Sequence, residues 1–331
     1  MSVNQEAVIG THEASDWFGR YLPPTLVLGD PGAHDATIHA IQACIPHALI
    51  LPIGLERLYR AARPAMAPLT VYAHERVYEN NTFIYDVEVQ NADGTVQAVW
   101  QGLRFRQVDT LAPRGTWVAP LLAIYCERYL STLLPGATIA VRLLVSLPYT
   151  RLDERRLHTD QALQHALEAP VSIWRRPDGK PVVHDSQTRV VSAAHSAGLT
   201  LAIAAPGPVG CDMEVVSRRP AALWRDLLGP ERYQLATLIA HQAGEDQDQA
   251  ATRVWTASES LRKVGALEST PLVLVSVQAD GWVLLAAGSW RLATLAAVIQ
   301  GSDKHIVLAF AQGTNSNVEK DCACASMNTV T

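Results

Sequence analysis

The sequence predicts an α+β protein built from two modules, and three observations carry that prediction. Residues 34–49 have helical spacing, and strand-like runs follow them as far as Arg106. Residues 109–118 (DTLAPRGTWV) combine Pro, Gly and polar side chains and read as a linker. Beyond the linker, strand-like segments flank two long helical segments, 221–243 and 246–265. A chain of 331 residues is long enough to fill two cores.

In the first module, Ile38, Ile41 and Ile45 fall on one side of the helix. The strand-like runs are Leu49–Leu58, Leu69–Glu79, Thr82–Gln90 and Thr95–Arg106. Asn91-Ala-Asp-Gly94 between the last two is a hairpin signal. The second module starts near Ala119, with a strand at Ile139–Ser146 and a helix at Arg151–Leu167 carrying Arg151, Arg155 and Arg156. Ile173 and Trp174 begin a strand that turns at Pro177-Asp178-Gly179. Val190–Ala205 gives two apolar strands around a turn at His195. After the two long helices, four antiparallel strands are expected over 272–277, 282–287, 292–300 and 305–311. The domain reading is 1–108, linker 109–118, second module 119–312, and a tail 313–331 without apolar periodicity, expected to be disordered.

Composition narrows the function classes. About half the residues are apolar and the net charge is −5, a globular composition whose mild acidity argues against nucleic acid as a main partner. No apolar run reaches eighteen residues, so no membrane span is expected. Met1–Glu6 lacks the basic and apolar regions of a signal peptide. The five cysteines are scattered except for Cys322-Ala-Cys324, which leaves metal binding or a disulfide open in the tail. A reducing, cytoplasmic location is the expectation.

Two motifs carry the chemistry. Gly210-Cys-Asp212-Met-Glu214 follows an apolar run and the turn Pro206-Gly207-Pro208. On a strand, Asp212 and Glu214 point the same way. Trp255, Glu259 and Lys263 recur at steps of four, on one helix face. Three carboxylates make an oxygen-rich site suited to Mg²⁺, and a lysine one turn further suits a phosphate. Each feature alone has a plainer reading: a solvated strand face, an i,i+4 ion pair, a structural histidine.

Together they resemble the Sfp-type 4′-phosphopantetheinyl transferases. That family carries G-x-D-x-E and, about forty residues later, W-x-x-K-E-x-x-x-K. Arg175-Arg176-Pro-Asp-Gly-Lys180-Pro181 resembles the family's G-[KR]-P element, and Ser192-Ala-Ala-His195-Ser196 its N-x-S-H-S element. The resemblance covers roughly 119–312. It implies a pseudo-dimeric fold with coenzyme A in the cleft, and transfer of the phosphopantetheine arm to a serine of an acyl carrier protein. It further implies Mg²⁺ on Asp212, Glu214 and Glu259, with Glu259 as base and Lys263 at the leaving phosphate. Lys180 and His195 would bind the coenzyme's phosphates, His195 better as imidazolium, with Arg175 and Arg176 as further candidates or as a solvated strand edge. The chain departs from the family at Ser192 (usually Asn), Ala194 (usually Ser) and Ser258 (usually Lys). The last leaves Lys263 and Arg262 to supply positive charge.

The first module's helix and strand meander resemble a hotdog fold. Asp30-Pro-Gly-Ala-His34-Asp35-Ala-Thr-Ile-His39 resembles the H-P-A-L-L-D-x-x-x-Q/H signature of polyketide synthase dehydratases, which are double hotdogs. By that resemblance Asp35 is the acid for the departing hydroxyl and His39 fills the Gln/His position. Asp35 read alone is a residue placed near a helix N-terminus. The family's histidine base lies on the first hotdog, and His12, followed by Glu-Ala-Ser-Asp, does not fit its motif. The expectation is therefore a second hotdog alone, without dehydration by this chain, since elimination needs both acid and base. A hotdog fused to such a transferase resembles the C-terminal end of enediyne-type iterative polyketide synthases. Two rivals remain: a non-catalytic module that docks a carrier protein, and a dehydratase portion completed by a partner.

Overall fold

The computed structural model describes residues 4–9, 31–61, 68–111, 115–134, 136, 138–145, 152–183, 189–301 and 305–313. His12, Asp30, Arg151 and the tail beyond 313 lie outside the described residues. The chain divides into two units, Met1–Arg114 and Gly115–Thr331. The boundary thus falls inside the expected linker rather than before it.

The first unit runs β1 (Asn4–Ile9), α1 (Pro31–Ile41), β2 (Ala48–Gly54), β3 (Arg57–Arg60), β4 (Leu69–Glu79), β5 (Thr82–Gln90) and β6 (Val96–Thr110). All pairings are antiparallel, in the order β1-β4-β5-β6-β2, with β3 also beside β6. The helix buries Ile41, with Ile45 just beyond it, against Phe83, Tyr85, Val87 and Phe105 of the sheet, and Ile38 packs at the margin. The helix ends earlier than its apolar spacing suggests. Pro46 has no N–H to continue it, and the Gln42 side-chain amide donates to the carbonyls of Ile45 (2.8 Å) and Ala48 (2.7 Å), starting β2. Asn80 and Asn81 both adopt positive φ and make the tight β4–β5 turn. β6 continues through Thr110, beyond the expected end at Arg106, because Ala48 and Leu49 of β2 pair with Thr110 and Asp109. Among the described residues of this unit one α-helix packs on the antiparallel sheet, as the hotdog resemblance implies.

The second unit begins with β7 (Thr116–Trp117) and α2 (Ala119–Leu133). The sequence reading had no element at α2, although Leu122, Cys126 and Leu130 recur at steps of four and are fully buried. Then follow β8 (Ala140–Val145), α3 (Leu152–Leu167), β9 (Ile173–Arg175), β10 (Pro181–Val183), β11 (Val190–Ser196) and β12 (Leu199–Ala205). The remainder is β13 (Val209–Val215), α4 (Ala221–Ala243), α5 (Gln247–Val264), β14 (Val273–Val277), β15 (Trp282–Ala287), β16 (Trp290–Ile299) and β17 (His305–Gly313). The turn after β11 is at Ala197-Gly198, so His195 sits within the strand and not at the turn.

The unit repeats one topology. In the first half β8 leads, α3 crosses over, and the last strand β12 returns between β8 and β11. In the second half β13 leads, α4 and α5 cross over, and the last strand β17 returns between β13 and β16. The halves share one core, in which Leu143, Leu201 and Ile203 meet Met213, Leu308 and Phe310. The Cys211 N–H of β13 donates to the Ser192 hydroxyl of β11 at 3.2 Å.

Two devices fix α5. Asp246 caps its start by accepting from the Gln249 N–H at 2.7 Å. Arg253, buried inside, pairs with Glu245 at 2.9 Å and donates to the carbonyls of Thr294 (3.0 Å) and Gly281 (3.1 Å). A buried guanidinium is tolerable only when so fully partnered.

Candidate functional site

The alternation of β13 decides where its side chains go. Cys211 and Met213 enter the shared core, while Gly210, Asp212 and Glu214 face the other way, and α5 lies across that face at Gly210. Gly210 makes the approach possible. A Cβ there would stand 2.5 Å from the Ser260 carbonyl oxygen and 2.8 Å from Val264 Cγ1. A glycine inside a strand pattern is a signal for close backbone approach, and the sequence reading did not use it.

This contact delivers Lys263 to Asp212. Its ammonium donates to Asp212 Oδ1 (2.8 Å), to the Cys211 carbonyl (2.8 Å) and to the Ala193 carbonyl of β11 (3.2 Å). All three protons are thereby used, and the lysine ties the two halves together. The other Asp212 oxygen, Oδ2, is buried with no hydrogen-bond partner. Burial pushes the Asp212 carboxyl above the usual carboxylate range, against the pull of Lys263. Glu214 is raised too, by burial and then by the charge of Asp212. Glu259 feels both, but its carboxylate is taken by Arg262, three residues on.

The oxygen donors suit a hard divalent cation, and the orphaned Asp212 Oδ2 is the acceptor such an ion would take. They are not drawn together ready-made. Among the described residues no three acidic, histidine or cysteine side chains form a group able to hold a metal. Two of the three carboxylates are instead neutralised by Lys263 and Arg262.

Lys180 reaches the same place from the first half. The β9–β10 hairpin turns through Gly179 at positive φ, and Lys180 Nζ donates to the Lys263 carbonyl at 2.7 Å. It thus satisfies one of the free carbonyls at the end of α5. Burial, and then the charge of Arg176, lower its pKa. His195 lies between Thr159 of α3 (3.1 Å) and Thr200 of β12 (3.0 Å). Burial, followed by the charges of Arg155 and Lys263, pushes its pKa down to about 4. Without an anion beside it His195 is therefore neutral at pH 7, and the imidazolium form that would bind a phosphate better needs such an anion to raise its pKa. Thr159, Thr200 and His158, which shares the Thr200 hydroxyl at 3.2 Å, complete a polar group that no motif announced. Arg175 is paired with Asp160, and Arg176 with Asp178 at 3.4 Å on the surface. Arg175 thus stays with the site through α3, and Arg176 is turned to solvent.

The first unit's candidates are placed otherwise. Asp35 and His39 project from α1 into solvent and pair only loosely with each other, at 3.5 Å.

Residues 3–115 match the family model described as polyketide synthase dehydratase N-terminal domain. The first unit is dehydratase-like. The match stops where that unit stops. It covers about a third of the chain and points to polyketide biosynthesis. It names the N-terminal domain, whereas the signature at Asp35 resembles the second hotdog, so the match lends no support to the second-half reading. No curated protein matches the chain. Among solved structures, a hypothetical protein of Staphylococcus aureus is 12% identical, with 33% of this chain and 87% of that one covered, at a TM-score of 0.19. An acyl-CoA hydrolase of Agrobacterium tumefaciens is 7% identical, with 96% of each chain covered, at 0.22. A bifunctional dehydratase-cyclase domain of ambruticin biosynthesis is 11% identical, with 97% and 94% covered, at 0.20. At such scores none of these likenesses carries an argument. Among the described residues no helix is long and apolar enough to cross a membrane.

Proposed function

We propose that the second unit transfers the 4′-phosphopantetheine arm from coenzyme A to a serine of an acyl carrier protein or domain in polyketide synthesis. The observation that carries this reading is the convergence on one spot of Asp212, with its unpartnered buried oxygen, and Lys263 from α5, Lys180 from the other half and the neighbouring Glu214 and Glu259. The four sequence motifs of the resemblance are the residues that meet there or flank it. An interaction-only module would not require a buried carboxylate with an open valence.

In this reading Asp212, Glu214 and Glu259 hold Mg²⁺, which when bound neutralises the diphosphate of coenzyme A. Glu259 accepts the proton of the carrier serine as its oxygen attacks the phosphorus that bears the phosphopantetheine, and the bond from that phosphorus to the bridging oxygen breaks, releasing adenosine 3′,5′-bisphosphate with the electron pair. Lys263 fixes the separation of the halves and keeps a positive charge beside the leaving phosphate. Lys180 and His195 bind the coenzyme's phosphates, and an anion there raises the His195 pKa from its depressed value.

The test is the mass of an apo carrier protein after incubation with the chain, coenzyme A and Mg²⁺. A gain of one phosphopantetheine, lost with EDTA and restored by Mg²⁺ or Mn²⁺, is expected. An unchanged carrier mass across several polyketide carriers rejects the reading in favour of a docking module.

A further inference from the structure

We infer that Arg262 acts as a counter-ion that holds Glu259 out of the metal site until a divalent cation enters, and then turns to the coenzyme's phosphates. The inference rests on the reading just given and assigns a role to a residue which that reading leaves aside.

The two ion pairs of the site differ in kind. Lys263 is enclosed, with 26% of its side chain exposed, and is held by three acceptors on two strands. Arg262 is 72% exposed, and it meets Glu259 one turn back on the same helix. Glu259 is itself half-buried, at 23% exposed, but the guanidinium on it is open to solvent and held by this one partner, so it exchanges more readily than an enclosed, triply bonded ammonium. A cation arriving at Asp212 Oδ2 and Glu214 therefore competes for Glu259 against Arg262 rather than against Lys263.

The position of Arg262 gives it a second use. Helical side chains lean toward the N-terminus, and Arg262 reaches back to Glu259, over the turn that carries Ser258. Ser258 supplies no charge, and its hydroxyl is spent on the Val254 carbonyl at 2.8 Å. Once freed, the guanidinium is the exposed cation at the rim of the carboxylates, and its planar fork suits phosphate oxygens. The entering divalent ion adds a positive charge at Glu259 beyond the one Arg262 withdraws, and the anionic coenzyme offsets it.

The test uses the whole chain and two readouts. Binding of Mn²⁺ alone is followed by the loss of the free-ion spin-resonance signal. The coenzyme A requirement is then measured at saturating Mn²⁺ with an apo carrier. Arg262→Gln is expected to bind Mn²⁺ several-fold more tightly than wild type and to need roughly tenfold more coenzyme A. Arg262→Lys is expected to lie near wild type on both. Thermal unfolding of each variant should match wild type, given the exposure of the side chain. If wild type binds Mn²⁺ and transfers, yet Arg262→Gln changes neither quantity or weakens Mn²⁺ binding, the inference is wrong while the functional reading stands. If wild type neither binds Mn²⁺ nor transfers, both fall.

Discussion

The pairs Asp35–His39 and Asp212–Lys263 have the same ingredients, a carboxylate and a basic side chain, in opposite surroundings. The first joins successive turns of one helix at 3.5 Å, with 67% and 75% of the two side chains exposed. The second joins a strand to a helix 51 residues further on at 2.8 Å, with 11% and 26% exposed. A surface pair within a helix contributes about 0.3–0.5 kcal/mol. Removing one partner of an enclosed pair costs toward the lower end of roughly 3–5 kcal/mol, because a charge is left behind. A fold does not maintain the second kind without compensation. The compensation here is a place where charges of both signs are held ready. The first unit's motif lies in a dehydratase-like unit, and among the described residues Asp35 and His39 form an exposed pair with each other.

The comparison breaks most visibly at Asp212. Asp212→Asn and Glu259→Gln keep shape and one acceptor oxygen, for Lys263 or Arg262, but remove the charge and turn the second oxygen into an amide donor. Each is expected to lower phosphopantetheine transfer by about a thousandfold, the upper part of the range for a preorganised electrostatic group. Near-normal carrier modification by either variant would place the two pairs on the same footing.

Next in size is Gly210→Ala. The added methyl meets the α5 backbone, and overpacking of this kind costs about 1–3 kcal/mol. The expected signs are a lower melting temperature together with weaker transfer, because Lys263 no longer seats between Ala193 and Asp212. An unaltered melting curve would mean that α5 does not rest on β13 as closely as described.

His195 gives a smaller effect with a definite sign. Its folded pKa is about 4, below the ordinary histidine value near 6.5, so the unfolded chain binds the extra proton in that interval. The stability that His195 contributes is complete above about pH 6.5 and is lost as pH falls toward 4. Replacing it by Gln should flatten this part of the stability–pH curve, read by urea unfolding between pH 4 and 7. Saturating adenosine 3′,5′-bisphosphate should shrink this loss in the wild type if coenzyme phosphates sit beside the residue, because an anion raises the folded pKa toward the unfolded value. The smallest expected change is at Asp35. Asp35→Asn should leave both transfer and stability at wild-type values in the same assays, and a loss of transfer would tie the first unit to the second unit's chemistry.

Much of the site was legible in the sequence because its chemistry is local. Asp212 with Glu214 and Glu259 with Lys263 are pairs whose facing follows from strand and helix periods alone. That the two pairs meet depends on Gly210, which reads as an unremarkable strand residue until a helix lies across it. The depressed pKa of His195 is not legible for a related reason: its partners come from residues 155–159 and 200, and burial is a property of the assembled core. In the fold, β4 and β5 are plain because each is a strand-like run and the Asn91–Gly94 turn signal closes β5, while the Asn80-Asn81 turn between them appears only in the structure. α2 was passed over although its buried positions recur regularly, and the end of α1 was blurred because a side chain, Gln42, closes it.

The repeated topology of the second unit implies a stoichiometry. Its two leading strands are counterparts in connection and pairing, yet β13 carries Asp212 and Glu214 while β8, Ala-Val-Arg-Leu-Leu-Val, carries no carboxylate. Two identical halves would build two acidic edges facing each other across one junction. Here one edge is acidic, and the other half contributes Lys180, His195 and the carbonyl of Ala193. Under the proposed function, this asymmetry between the copies would give the unit one cation, one coenzyme and one carrier serine per turnover.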